Sequence, residues 1–211
     1  MANRSVFLDR DGTIVEEVGF LSRVEDMIVF PFAAEALRLT KDAGFLNILV
    51  TNQSGIARGF FTEERLVELN QALVTELARQ GARVDDIYYC PHYPEAALEQ
   101  YRQVCECRKP SPGLILQAAS RWDIDLAASY VIGDRAADLE AGRRAGCHPI
   151  LVKTGYGSTT ASGLAERTNP EDNSGLLPEL ICDNLLEAAR WVVQRAQDGG
   201  VAKGLQGRKG L

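Results

Sequence analysis

Val6-Phe7-Leu8-Asp9-Arg10-Asp11-Gly12-Thr13 is the stretch whose reading decides the fold. Its first three residues form a short apolar run of β-branched and aromatic character, which reads as a buried strand. Two carboxylates therefore emerge at the strand's C-terminal end, where open α/β sheets place their chemistry. In extended chain an i, i+2 pair points both side chains the same way. Like charges held that close are costly unless a cation or a proton separates their roles. Gly12 lets the backbone turn sharply. One carboxylate can then serve as nucleophile and metal ligand, the other as general acid/base on the leaving group. The same residues also fit a strand end followed by a solvated Asp-Gly turn, so the rest of the chain must decide.

A chain of 211 residues suits one α/β domain and is too short for two good-sized ones. The expectation is a single catalytic domain over residues 1–197 and a disordered tail over 198–211, which holds five glycines and no apolar period. Hydrophobic residues at 45 % and charged residues at 25 % are ordinary for a soluble globular protein. No stretch approaches the length of apolar helix that a bilayer requires, so no membrane partner is expected. Met1-Ala2-Asn3-Arg4 lead straight into the first strand without room for a signal peptide, which makes the cytoplasm the expected compartment. Twenty-three basic against 29 acidic residues give a net charge of −6, which disfavours nucleic acid because no basic excess can displace counterions. A monomer is expected. Five cysteines are an odd number for a disulfide framework, and three of them fall within residues 90–107, which points to metal.

Ile14 to Phe30 carries no sustained period and reads as an irregular loop over the first strand's end, a place from which loops touch substrate. After Pro31, residues 33–43 are helical and stop at Gly44. Phe45-Leu46-Asn47-Ile48-Leu49-Val50 is a second buried strand and delivers Thr51-Asn52-Gln53-Ser54-Gly55 at its end. This strand-helix-strand unit implies a right-handed crossover and parallel strands. Thr62 is the expected N-cap of a helix with Leu66, Leu69, Leu73, Val74 and Leu77 at helical spacing. Further strands are expected at 84–89, 130–132 and 149–152, and further helices from Pro112 and over 136–145. Residues 155–177, rich in Gly, Ser, Thr and Asn, read as a surface loop. A short edge strand at 180–182 precedes a helix over 185–197 capped by Asn184.

Asp9-x-Asp11-Gly12-Thr13 after a first strand resembles the first motif of the haloacid dehalogenase-like (HAD) phosphohydrolases. In that superfamily the first Asp attacks phosphorus and the second moves the proton. The resemblance implies an α/β, three-layer Rossmann-like HAD fold with a central parallel sheet. Thr51, with the N–H groups of Asn52 and Gln53, can hold phosphoryl oxygens, although these residues also suit a polar turn. Thr51-Asn52-Gln53-Ser54-Gly55-Ile56 resembles an extended form of the superfamily's second motif. Lys109, in Cys107-Arg108-Lys109-Pro110, resembles the third, and its cation offsets the charge of Asp9, Asp11 and a phosphoryl group. Asp134, in Gly133-Asp134-Arg135-Ala136-Ala137-Asp138, follows a strand and completes the set. With Asp9 and the Asp11 carbonyl it offers an all-oxygen site suited to Mg²⁺.

Cys90-Pro91-His92 and Cys105-Glu106-Cys107 form a second constellation. Three thiolates and one imidazole in two i, i+2 pairs fit a closed, structural zinc site, the alternative being a set of buried free cysteines. Zinc there would fix the loop that aims Arg108 and Lys109. No insertion is large enough for a separate cap domain, so the fold is expected to be capless with a zinc-binding loop. The combined motifs resemble the D,D-heptose 1,7-bisphosphate phosphatases, which remove the 7-phosphate of a heptose bisphosphate on the route to ADP- or GDP-heptose. That resemblance implies a small phosphorylated sugar as substrate, and makes Glu17, Val18, Gly19, Phe20, Asn52, Gln53, Ser54, Arg108 and Arg135 substrate-contact candidates. Histidinol-phosphate phosphatases share the core motifs and a similar zinc loop. A DNA 3′-phosphatase would share the Thr-Asn-Gln stretch, against which the acidic balance and cysteine loop argue.

Overall fold

The computed structural model describes residues 2–166 and 177–206. The apolar runs form six strands, β1 (Arg4–Leu8), β2 (Phe45–Asn52), β3 (Asp86–Cys90), β4 (Tyr130–Gly133), β5 (His148–Val152) and β6 (Leu180–Cys182). All pair in parallel, in the order β3-β2-β1-β4-β5-β6. The connecting helices are α1 (Ala33–Asp42), α2 (Ser54–Ala57), α3 (Glu63–Arg79), α4 (Gly113–Trp122), α5 (Ala136–Ala145), α6 (Gly157–Glu166) and α7 (Leu185–Gln206).

Alternation along the strands divides the apolar residues between two faces. Val6, Leu8, Leu49, Ile132 and Ile150 pack with Leu37 of α1, Leu69 and Leu73 of α3, and Leu185 and Val192 of α7. Phe7, Ile48, Val50 and Val131 pack on the other side with Leu114, Ile115 and Ala118 of α4 and Ala141 of α5. The result is the expected three-layer α/β sandwich. Strand order reverses at β1, which lies between β2 and β4, so a crevice opens at the C-terminal ends of β1 and β4. The chain leaves β1 still tied to its neighbour, because the Asp9 N–H donates to the Ile132 carbonyl at 3.0 Å.

The expected caps are present. Thr62 Oγ1 accepts from the Arg65 N–H at 3.3 Å, and Asn184 Oδ1 accepts from the N–H groups of Leu186 and Glu187 at 3.0 and 3.1 Å. Two expectations are corrected. Residues 157–166, read as loop, form α6, whose Leu164 is buried with Leu139 and Leu151; packing outweighs a Gly/Ser/Thr composition of low helix propensity. The second concerns the tail from 198, expected to be disordered, where α7 continues to Gln206. Once a helix is nucleated on a packed face, each added residue gains a backbone hydrogen bond at little further cost. Residues 207–211 lie outside the described residues, as do residues 167–176 of the 155–177 segment. No helix among the described residues is long and apolar enough to cross a membrane.

One polar side chain sits inside β2. Asn47 is fully buried; it accepts from Thr40 Oγ1 at 2.6 Å and donates to the carbonyls of Leu37 and Arg83 at 2.8 and 3.1 Å. It thereby joins α1, β2 and the entry to β3. Asn47→Ala removes three buried hydrogen bonds, while the Thr40 hydroxyl keeps the Ala36 and Leu37 carbonyls, and should cost about 1–3 kcal/mol. A urea titration should show a lower midpoint with an unchanged slope.

Candidate active site

The Lys109 ammonium is the centre of the crevice. Nζ lies 3.0 Å from Asp9 Oδ1 and 2.6 Å from Asp138 Oδ1, and donates to the Val50 carbonyl at 2.7 Å, which uses all three of its protons. Burial alone would lower its pKa, but Asp138 and Asp9 outweigh burial and hold it above its ordinary value, so it stays charged. Its backbone is clamped by Asn52, which donates from Nδ2 to the Lys109 carbonyl and accepts at Oδ1 from the Lys109 N–H, both at 3.0 Å. Asp138 lies in the first turn of α5, where a carboxylate can cap the helix. It does accept from the Arg135 N–H at 2.9 Å through Oδ2, while its other oxygen holds Lys109. Gly133 makes this possible, since a Cβ there would collide with the Asp138 carboxylate.

Asp134 follows β4 as expected and is fully buried. Its Oδ2 accepts from the Tyr156 N–H at 2.7 Å, whereas Oδ1 has no partner among the described residues. Burial, then the charges of Asp9 and Asp138, push its pKa up to about 8. One ligand oxygen each from Asp9, Asp134 and Asp138 lies within 4.8 Å of the others. An orphaned carboxylate oxygen among three close acids is the environment that a hard divalent cation relieves. Both oxygens of Asp138 are engaged, by Lys109 and the Arg135 N–H, so Asp9 and Asp134 are the acids with an oxygen to offer such a cation. The cradle is closed from a segment whose role the sequence did not reveal. Thr154 Oγ1 donates to the Gly12 carbonyl at 2.6 Å, Thr160 Oγ1 donates to the Asp134 carbonyl at 2.9 Å, and a Cβ on Gly155 would strike the Asp134 carboxylate. Small and hydroxylic residues give the same signal in a plain turn.

Asp11 stands beside the crevice with both oxygens engaged by Arg10, at Nε distances of 3.3 and 3.1 Å and Nη2 distances of 3.1 and 3.0 Å. Gln53 Nε2 donates to Asp11 Oδ2 at 2.8 Å and to Thr51 Oγ1 at 2.9 Å. Asn52 and Gln53, expected as substrate contacts, border the cleft, and their side-chain amides bond Lys109, Thr51 and Asp11. Arg10, read as a spacer between two acids, is 1 % exposed and part of the site.

The cleft has a volume of about 440 Å³. Ser54 and Phe20 line it, as do Glu17 and Gly19; Val18 is exposed and does not. On one side Arg135 bonds Glu17 at 3.1 Å and stacks on Tyr156 at 3.8 Å, while Glu17 also accepts from the Gly19 N–H at 2.7 Å. On another, Arg58 and Arg108 sit 4.1 and 5.1 Å from the ring centre of Tyr93. Arg108 Nη1 donates to the His92 carbonyl at 3.1 Å, and the buried Nε of Arg58 has no partner among the described residues. Arg58 and Tyr93 escaped the sequence reading because nothing local marks them.

The four expected zinc ligands converge. Cys90, Cys105 and Cys107 Sγ atoms are 3.0–3.6 Å apart, and His92 Nδ1 is 3.3 Å from Cys107 and 3.8 Å from Cys90. All five cysteines are free thiols, and burial raises the pKa of Cys90 and Cys107. Three sulfurs and one nitrogen at this spacing can close around one tetrahedral ion. Cys147 and Cys182 are buried elsewhere, and His148 contacts Glu179 and the Ala127 carbonyl.

A HAD-hydrolase-like family model matches residues 106–188. The chain is similar to the D-glycero-beta-D-manno-heptose-1,7-bisphosphate 7-phosphatase of Photorhabdus laumondii, 45 % identical over 179 residues that cover 85 % of this chain and 92 % of that protein. It is also similar to the protein of the same name from Yersinia pestis, 43 % identical over 162 residues covering 76 % and 86 %. The crystal structure of D,D-heptose 1,7-bisphosphate phosphatase from B. bronchiseptica, complexed with magnesium and phosphate, superposes with a TM-score of 0.77 at 35 % identity, covering 91 % of this chain and 99 % of that one.

Because folding raises the Asp134 pKa from 3.8 to about 8, the carboxyl contributes stability below its unfolded value and loses it as pH rises through the folded value. Mg²⁺ at about one hundred times its Kd should therefore raise Tm at pH 8 by about 5–10 °C, and by much less at pH 5.5. In Asp134→Asn, metal-free Tm at pH 8 should rise and the Mg²⁺ response should vanish; differential scanning calorimetry reads both.

Proposed function

This chain belongs to the D-glycero-beta-D-manno-heptose-1,7-bisphosphate 7-phosphatase family of HAD-like hydrolases, and on that premise we propose that it hydrolyses the C7 phosphate of D-glycero-D-manno-heptose 1,7-bisphosphate through an aspartyl phosphate on Asp9. The observation that carries the reading is Asp9 itself: its Oδ1 takes the Lys109 ammonium and the Arg10 N–H, while among the described residues no donor contacts Oδ2. That oxygen is the nucleophile. As it attacks phosphorus, the bond from phosphorus to the C7 oxygen breaks and Asp11 gives that oxygen a proton. Water then loses a proton to Asp11 and attacks phosphorus, the Asp9–phosphorus bond breaks, and inorganic phosphate leaves with heptose 1-phosphate as the first product. Thr51 Oγ1 is placed to donate to a phosphoryl oxygen, while the Lys109 ammonium, its three protons engaged, offsets the negative charge gathered there.

A divalent ion bound by Asp9, Asp134 and the Asp11 carbonyl supplies positive charge against the transferring group, and Mg²⁺ is the ion we assign, as in the B. bronchiseptica relative. Zn²⁺ is assigned to Cys90, His92, Cys105 and Cys107, where it fixes the loop whose last ligand adjoins Arg108 and Lys109. Every residue given a role lies within residues 1–197 of one chain, so a monomer with a single catalytic domain suffices.

Recognition of the distal phosphate falls to Arg108 and Arg58, which both lie against the Tyr93 ring. A guanidinium fork suits a second phosphate, and two of them repel the cationic amine of histidinol phosphate. In a phosphate-release assay the heptose bisphosphate should have the higher kcat/KM of these two compounds. Arg108→Ala should lower it about 10–100-fold, the worth of one charged hydrogen bond of about 1.5–3 kcal/mol, with a loss of no more than about threefold on an aryl phosphate. Equal losses would assign Arg108 to the transferring group, and a preference for histidinol phosphate would move the substrate. Elemental analysis should find about one zinc per chain, and Cys105→Ser should lower stability and activity together.

A further inference from the structure

We propose that Arg10, with Gln53 and Asn70, is the positioning device of the general acid: it fixes the Asp11 carboxylate so that only its cleft-facing lone pairs are free to carry the proton. The inference rests on the reading of Asp11 as acid and base. Arg10 is 1 % exposed and its guanidinium keeps its charge, so its donors need fixed acceptors. Asp11 offers both oxygens, which can accept from the fork whether or not the carboxyl carries the proton, and two neutral amides supply the rest: Nη1 donates to Asn70 Oδ1 at 3.1 Å and Nη2 to Gln53 Oε1 at 3.1 Å. Asn70 comes from the buried face of α3 and Gln53 from the entry to α2. The fork is therefore pinned from two core elements before it meets the acid.

Gln53 closes the circuit. Its oxygen accepts from Arg10, and its nitrogen donates both to Asp11 Oδ2 at 2.8 Å and to Thr51 Oγ1 at 2.9 Å. One amide thus sets the spacing between the proton donor and the hydroxyl that faces the phosphoryl group. A carboxylate held by a two-pronged fork and an amide cannot rotate without breaking several charge-assisted bonds. Displacement by about 1 Å at such a group is enough to cost about 10²-fold in rate. None of this requires Arg10 or Asn70 to touch substrate.

The test uses leaving groups. The nitrophenolate of 4-nitrophenyl phosphate departs without a proton, whereas the alkoxide of glycerol phosphate needs one, and kcat/KM reports only the steps up to the first release. The ratio of kcat/KM for glycerol phosphate to that for 4-nitrophenyl phosphate is measured in the full chain with Mg²⁺, for wild type, Asp11→Asn, Arg10→Lys, Gln53→Met and Asn70→Ala. The ratio should fall at least about tenfold in Asp11→Asn, Arg10→Lys and Gln53→Met, and less steeply, by about threefold or more, in Asn70→Ala. A merely structural role lowers both rates in parallel and leaves the ratio unchanged. Should Arg10→Lys fail to fold, Gln53→Met and Asn70→Ala decide alone. A ratio that falls in Asp11→Asn but stays at the wild-type value in the other variants overturns the inference and leaves Asp11 as the acid. A ratio unchanged in Asp11→Asn overturns the reading of Asp11 and the inference with it.

Discussion

The buried ammonium of Lys109 is the constraint on which the rest depends. A charge removed from water must be met by fixed opposite charge and hydrogen bonds, and here Asp9, Asp138 and the Val50 carbonyl meet it. Those three partners come from the end of β1, the first turn of α5 and the body of β2, so the cation knits together the elements on both sides of the strand-order reversal. The count of charge around it explains what the crevice is for. Asp9, Asp11, Asp134 and Asp138 place four carboxylates against two buried cations, Lys109 and Arg10. Burial first, and then the charges of Asp9 and Asp138, raise the pKa of Asp134. A divalent ion bound there would balance the surplus negative charge and let a phosphate dianion enter a site that would otherwise repel it.

The cysteine loop acts on the same cation from outside. Cys90 ends β3, Cys107 precedes Arg108 and Lys109, and the His92 carbonyl accepts from Arg108. Asn52 seizes the Lys109 backbone from the neighbouring strand. A closed four-ligand ion at Cys90, His92, Cys105 and Cys107 would make this loop rigid. Fold, loop and site are coupled through one short segment of chain.

What the sequence disclosed, and what it hid, follows from how local each signal is. Asp9, Thr51 and Asp134 were legible because apolar runs fix strand ends, and strand ends fix where the next side chain emerges. The cysteine pairs were legible because spacing alone implies convergence. Arg10, Asn70, Arg58 and Tyr93 were not, because each acquires its role from a partner far along the chain, such as Asn70 sixty positions from Arg10. Asn52 and Gln53 were legible as residues of the cleft, but the bonds they make were not: an amide can donate and accept at once, and here both functions engage Lys109, Asp11, Thr51 and Arg10. Helix α6 was hidden by its own composition, since the threonine and glycines that hold the Asp134 cradle are those a turn would use.

The central claim is that Asp9 becomes covalently phosphorylated in a crevice balanced by Lys109 and a divalent ion. The most direct test is borohydride reduction during steady-state turnover of the heptose bisphosphate, followed by peptide mass spectrometry. An acyl phosphate on Asp9 would be reduced to homoserine at that position, in a substrate- and Mg²⁺-dependent manner, with Asp11, Asp134 and Asp138 unchanged. Reduction at one of those other carboxylates, or none anywhere while phosphate is released at the full rate, would contradict the account.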